Sequence, residues 1–163
     1  MVKFDKSGLE KKIKKLEELN QITITYGIFG EKASQHSFGG GGGLPVGVVA
    51  RIQEEGLRSK DGKIRIPSRP FFTYAKIQIR RELPKILARQ FKLLWGNNNS
   101  IDNFARQIGN YCKQTVVENI RDSSKYTPLS PITVRIKGND IPLIDSGQML
   151  KSVDFKITKG NIK

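Results

Sequence analysis

The side chains from which most catalytic and metal sites are built are scarce in this chain. There is one cysteine, Cys112, and one histidine, His36, among 163 residues. A lone cysteine excludes an intrachain disulfide, and one histidine with one cysteine excludes a zinc site of ordinary composition. Cys112 lies in an amphipathic helical pattern and reads as a small buried apolar residue rather than a reactive thiol. His36 stands beside glycines where no periodicity holds, so a Ser-His-Asp arrangement would lack a rigidly held base. Acids are outnumbered, 15 against 29 lysines and arginines, for a net charge of +14. Glu54 and Glu55 are adjacent and point in different directions on a helix. Asp140 and Asp145 are bracketed by turn residues and read as a loop acid and a cap. The five glycines at 39–43 are followed by Leu44-Pro45, not by the Lys-Ser or Lys-Thr of a phosphate loop, and no register fits G-x-G-x-x-G. No apolar run approaches the roughly 20 residues of a membrane span. The opening Met1-Val2-Lys3-Phe4-Asp5-Lys6 turns polar at once, which predicts no secretion signal. These shortages predict no catalytic set, no cofactor and no metal: a protein that is not an enzyme, kept in a reducing cytoplasm.

What is present is a set of amphipathic segments. A chain of this length predicts one domain, 1–163, able to bury about 68–70% of its unfolded surface. Ser7 and Glu10 form a capping-box pattern. Leu9, Ile13, Leu16 and Leu19 then mark one face of a helix of about four turns, with Lys11, Lys12, Lys14 and Lys15 elsewhere. Ile22, Ile24, Tyr26 and Ile28 alternate with Thr23, Thr25 and Gly27, a strand. The segment 31–45 predicts a flexible loop, either an arm that orders against a neighbouring subunit or a plain surface loop. Residues 46–56 predict a short helix with Val48, Val49 and Ile52 inward and Gly56 as its stop. A charged turn follows, with Asp61-Gly62 at its tip, then a brief extended segment at 64–66.

Pro67 and Pro70 clamp the chain around Arg69, which reads as a held cation or as half of an ion pair with a nearby glutamate. Residues 72–95 predict a helix with Ile79, Leu83, Ile86, Leu87, Phe91 and Leu94 as its apolar stripe. Pro84 is expected to kink it or open a new first turn. Its other face carries Lys76, Arg80, Arg81, Lys85, Arg89 and Lys92 against one acid, Glu82. Ser100 caps a second helix over 100–121, with Asp102 in its first turn. The short polar turn between these helices predicts antiparallel packing. Two readings compete over 129–137: Ser130 with Pro131 at the first helical position argues for a helical turn, and the alternation of Ile132, Val134 and Ile136 for a strand. Over 141–158, Pro142 biases the chain to be extended. Asp145 can cap a short turn with Gln148 reaching back, and Val153, Phe155 and Ile157 alternate as a strand.

Two dense blocks stand out. Pro128, Leu129, Ser130, Pro131, Thr133 and Lys137, followed by Pro142, Leu143, Asp145, Ser146, Gly147 and Ser152, form the pattern PLSP-x-T-x-x-x-K … PL-x-D-[ST]-G-x-[ML]-x-x-S. Upstream, Val49, Ala50, Glu54 and Gly56, then Ile66, Pro67, Arg69, Pro70 and Phe71, form VA-x-x-x-E-x-G … IP-x-RPF. In this order, and about seventy residues apart, these blocks resemble the small neck and tail-completion proteins of tailed bacteriophages, the virion morphogenesis family. The likeness spans roughly residues 46–157 and favours the helical turn at 129–137.

The resemblance implies an α+β fold: a small, mostly antiparallel sheet from 22–29, 64–66 and 153–157, packed against the long amphipathic helices, with the Gly-rich loop outside. It implies a structural virion protein, assembled in the bacterial host cytoplasm. Copies would form a ring at the head–tail neck or tail end, between portal or head-completion proteins and tail proteins, with no membrane partner. Heterologous contacts close into such a ring. The expected docking surface is Pro67, Arg69, Pro70, Phe71 and Phe72 with Leu129, Pro131, Pro142, Leu143, Asp145 and Gly147, of which Phe71 and Leu143 read equally well as core. The basic face from Lys76 to Lys92 would line a channel and touch double-stranded DNA nonspecifically, or meet an acidic ring. The charge alone supports another function, a basic nucleic-acid-binding protein that is not part of a ring.

Overall fold

A computed structural model describes residues 6–29, 35–38, 41–96 and 99–160. Its spine is a pair of long helices, α3 (Phe71–Trp95) and α4 (Ile101–Arg121). They run antiparallel: Phe91 meets Phe104 at a ring separation of 5.0 Å, the Tyr111 hydroxyl donates to Glu82 (3.1 Å) and Asn119 Nδ2 donates to Gln78 (3.2 Å). Ser100 caps α4 by accepting from the Asn103 amide at 3.1 Å. Helix α3 passes through Pro84 without a break, although the proline ring removes the donor that the Arg80 carbonyl would use. One packed face therefore survives a residue that predicts a kink or a new start.

Around the spine come α1 (Lys6–Asn20), β1 (Ile22–Ile28), β2 (Gln35–Phe38), β3 (Gly41–Pro45), α2 (Val46–Glu55), β4 (Leu57–Arg58), β5 (Ile64–Ile66), α5 (Pro131–Lys137), α6 (Gln148–Lys151) and β6 (Val153–Lys159). The first and last long strands pair. β1 and β6 are antiparallel, from Ile22 opposite Lys159 to Ile28 opposite Val153. Both contact α4. The fold is thus α+β, a small antiparallel sheet on long helices. The approach of sheet to helix is close. A Cβ added at Gly109 would lie 2.2 Å from the Phe155 ring, so glycine is needed there to let β6 lie against α4.

Burial divides into two clusters along the spine. One joins Phe71, Ala75, Val116, Val117 and Ile120 to Val46 and Ala50 of α2, to Tyr126, and to Leu143, Met149 and Val153. The other joins Ile79, Leu94, Phe104, Ile108 and Cys112, with Leu19 and Ile24 packed against it. Burial pushes the Cys112 thiol pKa up, the behaviour of an inert core residue.

Several local expectations are corrected. Residues 64–66 do not join the β1–β6 sheet; they pair with Leu57–Arg58 as a separate ladder. Closing the short charged turn between them is entropically cheaper than reaching a distant strand. In the stretch 31–45, where a loop is expected, β2 and β3 form an antiparallel ladder with His36 opposite Leu44. Gly41, Gly42 and Gly43 show no side-chain alternation, yet each keeps its backbone donor and acceptor, and those build the ladder. Residues 31–34 and 39–40 lie outside the described ones. Helix α1 begins at Lys6, so Ser7 is in the first turn rather than at the cap. In α2 the inward residues are Val46, Val49 and Ala50, while Val48 is 43% exposed. The 129–137 conflict resolves to a helix: Ser130 caps α5, Pro131 takes its first position, and Gly138 closes it at φ 75°. Ile132 and Ile136, one turn apart, then face outward.

Candidate functional site

The two motif blocks meet at one groove. Its upstream wall is built by the end of α2 and the chain that follows it. Gly56 turns that chain at φ 78°, where an added Cβ would lie 2.9 Å from the Ile66 carbonyl and the Ser68 amide. The returning segment is then tied to α2: the Arg69 amide donates to the Gln53 carbonyl (2.7 Å) and the Ser68 hydroxyl to the Glu54 carbonyl (2.6 Å). The Glu54 carboxylate accepts from the Phe72 amide (2.8 Å), the Thr73 amide (2.9 Å) and the Thr73 hydroxyl (2.6 Å). A carboxylate there satisfies orphan amides and complements the positive end of α3. The Glu, the Gly and the proline-clamped segment of the first block therefore have a structural role: they fasten α2 to the start of α3.

The opposite wall comes from the second block. Lys137, at the end of α5, folds its ammonium back onto the carbonyls of Ile141 and Pro142. Gly147, at φ 73°, is the N-cap of α6, and the Gln148 amide donates weakly to the Ser146 hydroxyl at 3.4 Å. The cap position thus falls beyond Asp145, where the sequence pattern places it. Between the walls lies a groove of about 670 Å³.

Of the expected docking residues, Pro67, Arg69, Leu129, Pro142, Leu143, Asp145 and Gly147 line this groove. Pro70 is instead the N-cap residue of α3, and Phe71, 2% exposed, belongs to the core. Phe72 stacks on Tyr26 with ring centroids 5.8 Å apart. Pro131 is exposed on α5. Leu143, although it touches the groove, is a core residue at 6% exposure. Sequence reasoning missed Gln53, Thr133, Lys137 and Met149 as groove residues. Thr133 and Lys137 are motif positions, so the pattern contained that signal.

Electrostatically the groove is lopsided. Among the described residues, Arg65, Arg69 and Lys137 line it against one acid, Asp145. Arg69 is 4% exposed. Its Nη1 donates to the neutral Gln53 side chain at 2.8 Å, and its Nε, buried, has no hydrogen-bond partner among the described residues. Glu54, the glutamate of the first block, is engaged instead at the α3 terminus. Burial pulls the Arg69 pKa down from its ordinary value. Burial also lowers that of Lys137; Asp145 opposes this and the Arg69 charge adds to it. The Gln148 side-chain oxygen is likewise buried and receives no donor.

The second candidate region is the outer side of α3. Lys76, Arg80, Arg81, Lys85, Arg89 and Lys92 are all exposed. Arg81 bonds Glu82 at 3.0 Å. The Glu82 carboxyl is held below its usual range by that bond and by the Tyr111 hydroxyl. A larger hollow, about 880 Å³, opens between α1, Trp95 and the start of α4, rimmed by the α1 lysines and Lys159. Among the described residues no group of three or more His, Cys, Asp or Glu could hold a metal ion, and no helix is long and apolar enough to cross a membrane. No family model, curated protein or solved structure matches this chain.

Proposed function

We propose that this chain is a structural subunit of a tailed bacteriophage, one of a ring of copies at the head–tail neck or the tail end. It does its work by fitting beside copies of itself and holding the portal or head-completion proteins and tail proteins on either side. The observation that carries the reading is the convergence of both motif blocks, distant in sequence, on a single groove. The segments between them contribute little to it. A surface assembled in this way suits docking: besides cations and amides its polar members are Ser130, Thr133, Ser146 and Asp145, with Ser130 engaged as the cap of α5 and the Lys137 ammonium held on the Ile141 and Pro142 carbonyls. The exposed Ile132 and Ile136, 71% and 83% accessible, add apolar area beside it. A stable subunit contact needs on the order of 1,200–2,000 Å² of buried surface. Sedimentation of the purified chain and electron microscopy of the host phage particle test the reading. Closed rings, or several copies about the particle axis, are the expected result. A chain that stays monomeric at millimolar concentration and is missing from purified particles overturns it.

A second reading, a basic nucleic-acid-binding protein outside any ring, is favoured by one observation: the six exposed cations of α3. Its distinguishing result is tight duplex binding by the isolated chain. The logarithm of that affinity would fall with the logarithm of salt at a slope of about −0.9 per phosphate neutralised.

A further inference from the structure

Arg69 is out of balance with its surroundings. Arginine is seldom buried unless an anion accompanies it. Arg69 is buried, has a neutral amide as its acceptor, and no ion pair reaches it among the described residues. Holding a guanidinium this way is costly unless a missing group completes the site. The Arg69 backbone is itself tied down, its amide donating to the Gln53 carbonyl at 2.7 Å.

The rest of the groove defines what is missing. Lys137 and Arg65 add positive charge against Asp145, the one acid among the described lining residues. The buried Gln148 oxygen has no donor. Ile66, Leu129 and Met149 supply apolar wall, and Ile136 stands at the rim largely uncovered. A complementary ligand therefore brings a carboxylate for Arg69 and Lys137, an N–H for Gln148, and aliphatic side chains for the walls. A peptide offers all three.

We infer that this groove receives an extended, acidic peptide segment of a partner protein, its carboxylate set against Arg69 and Lys137 and a backbone N–H directed to Gln148. The partner is an acidic chain, such as one on either side of the proposed ring: at a net charge of +14 this chain attracts an acidic partner. Nucleic acid fits less well. None of the groove's described lining residues is aromatic, so they offer bases no stacking platform. The inference deepens the docking reading above and rests on it only for the source of the segment.

The test uses the whole purified chain and the peptide acetyl-Leu-Asp-Leu-Asp-Leu-amide, with calorimetry for affinity and methyl NMR for location. Saturable binding that shifts the Ile136 and Met149 methyl signals is expected. The same peptide with asparagine in place of aspartate is expected to bind about tenfold more weakly or not at all. Arg69→Gln and Lys137→Gln are each expected to reduce affinity for the aspartyl peptide by about tenfold. Should Arg69→Gln fail to fold, Lys137→Gln decides the matter. Equal affinity for both peptides overturns the inference, as does absence of binding at millimolar concentration. So does competition by inorganic phosphate at the peptide's own concentration, or a DNA duplex moving the same methyl signals. Sedimentation of the same samples keeps the two ideas apart. Peptide binding by a permanent monomer removes the ring and leaves the groove; rings that ignore the peptide do the reverse.

Discussion

Helix α1 places Leu9, Ile13, Leu16 and Leu19 along one side, and α4 places Phe104, Ile108, Cys112 and Thr115 along one of its own. The two patterns are of one kind. In α4 the pattern is enclosed, with α3 on one side and β1 and β6 on another, and ten of its residues are buried. In α1 the C-terminal end is held. Leu19 packs on the second core cluster and Lys15 donates to the Leu94 carbonyl at 3.3 Å, while Leu9, Ile13 and Leu16 remain 51%, 47% and 51% exposed. Periodicity identifies which side of a helix is apolar. Whether anything covers that side depends on elements the periodicity does not contain.

The contrast predicts a graded series. The largest effect belongs to Ile120, fully buried in α4. Ile120→Ala is expected to cost about 2–5 kcal/mol in urea unfolding; a value near zero would mean that α4 is no better enclosed than α1. Next is Gly109→Ala, where the added methyl meets the Phe155 ring. Overpacking of about 1–3 kcal/mol is expected to outweigh the gain of about 1 kcal/mol in helix propensity. Combining it with Phe155→Leu should recover part of the loss. Ser100→Ala removes the α4 cap and should cost about 1 kcal/mol.

Smaller again is the effect of acid at the start of α4. The Lys159 ammonium, 2.7 Å from Asp102, holds that carboxyl below its ordinary range, first by hydrogen bonding and then by its charge. The depressed folded value means that the pair stabilises above the unfolded pKa of about 4. That contribution is lost as pH falls through the folded value. Both groups are exposed, so salt should shrink the effect, and Asp102→Asn should flatten this part of the stability–pH curve. The smallest change is expected from Leu16→Ala on α1, within about 0.5 kcal/mol for the isolated chain. A loss approaching that of Ile120→Ala would show that α1 is covered after all.

Legibility in the sequence followed the range of the interactions. The ends of α4 and α5 were readable because Ser100, and Ser130 with Pro131, act on amides within one turn. The antiparallel helix pair followed from a short polar connection. Most of the groove was readable as motif positions, but not as a groove. Glu54 could be seen in the first block, yet nothing local says that its carboxylate caps a helix beginning at Phe71.

From the order of residues alone came the apolar sides of the helices, most of their boundaries, the basic face of α3 and the scarcity of histidine and cysteine. These depend on backbone geometry and hydrogen bonds over a few residues. The folded chain decided the rest. It paired β1 with β6 across about 130 residues, turned residues 64–66 back on Leu57–Arg58, built a ladder through glycines and left much of α1 bare. It also enclosed Arg69 with no acid paired to it among the described residues. Such outcomes depend on which distant groups exclude water from one another, and that free energy exists only once every neighbour is in place.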